Sequence, residues 1–80
     1  MSEAYDSQTD SMIFYAFRYC LGRQTYAVQD CADYLRRNWP RLNEFTRALI
    51  KKEINDAFMR NRYGSEIDRK QWQGILELEP

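Results

Sequence analysis

Apolar side chains between Ser11 and Leu21 recur every three or four positions, at Ile13, Phe14, Phe17, Cys20 and Leu21. Projected at about 100° per residue, they form one broad face. Tyr15, Arg18 and Tyr19 fall on the opposite side. The spacing predicts a first helix capped by Asp10 or Ser11, with Gly22 placed to end it in the left-handed conformation. A second helix is predicted from Tyr26 to Asn38, with Thr25 as its cap. Ala27, Val28, Cys31, Ala32, Leu35 and Trp39 line its apolar side, while Asp33 and Arg37 stand one turn apart on the polar side. Pro40 then turns the chain. Asn43 is placed to cap a third helix, from Glu44 to Tyr63, with Gly64 just beyond it. A short fourth helix is expected to start at Asp68, where "DRKQ" resembles a capping box, and Trp72, Ile75, Leu76 and Leu78 anchor it.

The third helix breaks the usual pattern. Ile50, Ile54, Ala57 and Phe58 make one apolar stripe. Phe45, Ala48, Leu49, Met59 and Tyr63 make a second stripe on roughly the opposite side, interrupted by Lys52 and Asp56. A surface helix needs one apolar face. Two imply either a central position in the bundle or one face given to another chain, and a homodimer through this helix is one such outcome. The predicted fold is all-α, a compact bundle of three to four short helices over residues 11–80, preceded by a flexible acidic tail over residues 1–10.

With 80 residues there is room for one domain, and a chain of this size buries only about 60–65% of its unfolded surface. Charge refines the picture without redirecting it. The net charge is zero, but residues 1–17 carry −3, residues 18–52 carry +5 and residues 53–80 carry −2. A dedicated nucleic-acid binder is more basic than this. With no histidine and two cysteines, neither at ligand spacing, zinc is not expected. Cys20 and Cys31 read as small buried hydrophobes of a reducing compartment. No phosphate loop or nucleophile elbow is present, and acid pairs such as Asp30 and Asp33 lie on a polar helix face beside arginines as solvated ion pairs, so neither catalysis nor a cofactor is expected. The run Met12–Phe17 is too short to span a bilayer, and "MSEAYDSQTD" is acidic where a secretory leader is basic. A cytoplasmic location follows as the expectation.

The segment "MIFYAFRYCLGRQTYAV" carries more rings and arginines than a helix and a turn require. On one reading Phe17, Tyr19, Tyr26 and Tyr34 close a small core, with arginine stems across them. On the other, Tyr15, Arg18 and Tyr19 face outward and join Arg23 as a contact patch, because Tyr and Arg dominate interface energetics. With the second stripe of the third helix, the candidate protein-binding residues are Tyr15, Arg18, Tyr19, Arg23, Phe45, Leu49, Met59 and Tyr63. An alternative treats the second and third helices as a helix-turn-helix-like basic surface for nucleic acid, using Arg36, Arg37, Arg41, Arg47, Lys51 and Lys52.

The run "AFRYCLGRQTYAVQDCADYL", followed by "NWP" and a long helix, resembles a group of small proteins of tailed bacteriophages and prophages that share an FRYxLGRxTYxVxD-type motif. The match extends from about Phe14 to Phe58. Where that group has a small residue after "RY", this chain has Cys20, in keeping with a packing role. The resemblance carries over no catalytic residue. It implies an infected bacterial cytoplasm, in which chains this short act by binding and inhibiting host proteins or defence complexes, in the manner of anti-CRISPR and anti-restriction proteins.

Overall fold

Asp6 begins the first helix: its carboxylate accepts the Thr9 N–H at 2.7 Å. In this computed structural model, which describes residues 4–21 and 27–80, α1 runs Ser7–Cys20, α2 Ala27–Asn38, α3 Glu44–Met59 and α4 Glu66–Leu76. A single 3-10 turn, Trp39–Arg41, stands between α2 and α3. Among the described residues the fold is all-α, as the periodicity predicts. The expected roles of Gly22, Thr25 and Tyr26 fall outside the described residues.

Several boundaries differ from expectation, each for a local reason. α1 starts at Ser7, so Asp10, expected as a cap, sits inside the helix, and residues 7–10 are helical. Tyr5 is tied down as well: its N–H donates to the Arg41 carbonyl at 2.8 Å, and its hydroxyl meets that of Tyr34 at 2.8 Å. α3 stops at Met59 because Asn61 takes up the left-handed conformation at φ 54°. There the Arg62 N–H reaches the Ala57 carbonyl and the Asn61 N–H reaches Phe58, satisfying the last carbonyls of the helix. α4 starts two residues early, at Glu66, since Ser65 and Asp68 cap each other reciprocally. The Asp33–Arg37 pair is replaced by Asp33–Arg36, one residue closer, while Arg37 Nε donates to the Asp33 carbonyl.

The core gathers Phe17 and Cys20 from α1, Val28, Ala32 and Leu35 from α2, Trp39 and Leu42 from the connection, Ile50 and Ile54 from α3, and Trp72 and Ile75 from α4. At its centre the Phe17 and Trp72 rings meet edge to face at 5.4 Å. The helices are arranged as a square. α2 packs on α1 and α4, and α3 packs on the same two. α3 is therefore not central: Thr46, Ile50, Ile54 and Ala57 point inward, Phe58 packs at the edge of the core, and the opposite side of the helix forms an outer wall. Trp39 and Lys51 donate to the Glu79 and Leu78 carbonyls, holding the last described residues against the bundle.

Candidate interaction surface

α1 and α3 run in the same direction, pinned at their N-terminal ends by Asp10. This residue is almost fully buried, and its carboxylate accepts the Asn43 side-chain amide at 2.7 Å and the Asn43 backbone N–H at 3.3 Å. Asn43 in turn caps α3 by accepting the Thr46 N–H at 2.8 Å. One capping residue thus sets the register between two helices. Their outer flanks form a groove of about 310 Å³, in which Phe14 and Tyr15 of α1 meet Phe45 and Leu49 of α3. Farther along the same seam, Arg18 and Leu21 border a shallower groove beside Glu53, Asp56 and Arg60.

The candidate residues separate clearly by exposure. Tyr15 is 66% exposed, Tyr19 68%, Phe45 74% and Met59 82%, so the rings expected outside the core lie there. Arg18 is exposed, Leu49 is half-buried, and Arg23 lies outside the described residues. The alternative in which Tyr19 and Tyr34 close the core does not hold, because Phe17 fills that centre without them. Ala27, assigned to the apolar side of α2, is exposed at the helix start. Tyr63 departs from its stripe. Beyond the end of α3 it packs edge to face on Phe58 at 5.5 Å, and the Arg69 guanidinium covers both rings.

The six cations of the alternative surface serve mostly internal contacts. Arg36 pairs with Asp33 and reaches Gln71 of α4 at 3.1 Å. Arg41 stacks over Tyr5 at 4.1 Å. Arg47 has its Nε buried. Lys51 donates to a backbone carbonyl and Lys52 pairs with Asp56 at 3.1 Å. Arg37, bonded to its own helix, is exposed.

Two features escaped the sequence reading. Met12 is exposed, three residues before Tyr15 and seven before Tyr19, so it extends their ridge along α1. The i, i+3, i+7 spacing was a usable signal. Met12 also edges an apolar groove of about 430 Å³ between α1 and α2, floored by Ala16, Cys20 and Cys31. Burial, reinforced by the Cys20 thiol beside it, pushes the Cys31 thiol up to about 12. A thiol so reluctant to ionise is a packing group, not a nucleophile. Among the described residues no cluster of His, Cys, Asp and Glu is arranged to hold a metal ion. No described helix is long and apolar enough to cross a membrane.

No family model, curated protein or solved structure matches the chain.

Rings with polar tips stand on a rigid helix beside an arginine and an apolar groove, an arrangement that suits burial against another macromolecule.

Proposed function

We propose that this chain is a non-enzymatic interaction protein of bacteriophage type. It would act in the cytoplasm of an infected bacterium by binding and inhibiting a host protein or defence complex. One observation carries the proposal: the core closes around Phe17 and Trp72 while Tyr15, Tyr19 and Arg18 stand outside it on one ridge of α1. Each such ring, once fully buried by a partner, contributes about 1.5–3 kcal/mol, enough for two or three to dominate an interface.

The test is affinity capture from bacterial lysate with the wild-type chain and with Tyr15→Ala/Arg18→Ala. A partner retained by the wild type and lost by a variant of unchanged melting temperature supports the proposal. Equal capture by both chains contradicts it. The nucleic-acid alternative makes a different demand, namely duplex DNA binding that falls steeply as salt rises. Arg36 and Lys51 are engaged within the bundle, which supports the protein-contact reading over that alternative.

A further inference from the structure

The outer stripe of α3 has an internal symmetry. At about 100° per residue, Phe45, Leu49, Lys52, Asp56 and Met59 fall within an arc of about 80°, facing away from Ile50 and Ile54. Position 54 divides this stripe. Leu49 and Met59 lie five residues to either side of it, and Lys52 and Asp56 lie two residues to either side. The Lys52 and Asp56 side chains are 68% and 40% exposed.

We infer that a second copy of this chain docks here, with the two α3 helices antiparallel about a twofold axis level with position 54. In that register Leu49 meets the partner's Met59, and Lys52 meets the partner's Asp56. Every contact occurs twice, as a self-complementary interface requires. The two pairs formed within the chains, Lys52–Asp56 at 3.1 Å, then join across the axis as a closed ring of four alternating charges. A parallel arrangement would set Lys52 against Lys52 and Asp56 against Asp56, so charge selects the antiparallel one. Phe45, the most exposed ring of the bundle, reaches past the end of the partner's helix and covers the turn there. α1 and α4 hold the inner side of α3, and α1 borders the outer stripe only along its Leu49 and Asp56 edge. The contact is one helix wide, narrower than the interface of a standard stable complex, so the dimer is a weak one that forms with rising concentration.

The inference does not depend on any host partner, since it is tested with the purified chain alone. Sedimentation equilibrium of the wild type is expected to show a concentration-dependent shift from the 9.7 kDa monomer to twice that mass. Lys52→Glu and Asp56→Lys each place like charges across the axis, and each raises the dissociation constant about tenfold or more. Mixing the two variants restores opposite charges at both crossings, so the mixture regains the affinity that each variant alone has lost. Met59→Glu, at the last position of α3, where the side chain is exposed, weakens the dimer without rescue by either. Circular dichroism confirms that each variant retains its helices. A wild type that stays monomeric at millimolar concentration overturns the inference. So does a dimer indifferent to both charge changes, or a mixture that fails to recover.

Discussion

Asp10 shows how one side chain can stabilise more than its own helix. Its carboxylate is buried against Asn43, which also caps α3, so removing the Asn43 side chain takes away a cap and leaves one oxygen of a buried acid without its side-chain amide donor. Asn43→Ala is expected to cost about 2–4 kcal/mol, the sum of a lost cap and an orphaned buried acceptor. Ser65→Ala, which removes a cap alone, costs about 1 kcal/mol by comparison. Urea denaturation of the two variants checks the difference. Cys31 makes a prediction about pH. A thiol raised from 9.0 to about 12 on folding contributes stability that is complete below pH 9 and lost as pH climbs toward the folded value, because the native state holds its proton longer. Stability should thus fall between about pH 9 and pH 12, and Cys31→Ala should flatten that decline. Tyr34, raised mainly by its hydrogen bond with Tyr5, adds a component that Tyr34→Phe removes. The Asp10 network was not legible in the sequence. An aspartate just before an apolar run looks like a cap, and the polar first turn "SQTD" hid the start four residues earlier at Asp6.

At the scale of elements, all four helices could be read from the 3.6-residue recurrence of apolar positions, because each buries one face in a shared core. Their ends could not be read as well. Asn61 takes up a left-handed conformation more usual for glycine, so the sequence pointed to Gly64 as the end of the third helix and to Tyr63 as part of it. Ser65 and Asp68 form the capping box that "DRKQ" only resembled. Gly64 keeps a purpose of its own. At φ 90°, with the Asp68 carboxylate 2.5 Å from where a Cβ would stand, it is the residue that lets the chain enter α4. Gly64→Ala therefore combines left-handed strain of about 1–2 kcal/mol with displacement of the Asp68 side of the box. Thermal melting should show a larger loss than Ser65→Ala produces. Asn61→Gly, which relieves the same kind of strain, should be neutral or stabilising.

For the whole molecule the decisive fact is the square of helices. Each helix packs chiefly on two neighbours, so α3 keeps one face free of the bundle, and the choice between a central and a peripheral third helix falls to the peripheral one. That choice lay beyond the sequence. Two apolar stripes on one helix are equally compatible with four surrounding helices and with an open wall, and only tertiary neighbours separate the cases. The candidate surface was legible in part, since Tyr15, Tyr19, Phe45 and Met59 are exposed. Tyr63 was not, because its position depends on where α3 stops.

The central claim is that these rings add nothing essential to the fold and are surface. Denaturant unfolding of Tyr15→Ala/Phe45→Ala, at a concentration low enough to exclude self-association, tests it most directly, with Leu35→Ala as the core comparison. Leu35→Ala should cost about 2–5 kcal/mol, a large share of the stability of so small a domain. The double surface variant should stay within about 1 kcal/mol of the wild type. A loss as large as that of Leu35→Ala would place the rings in the core and contradict the account.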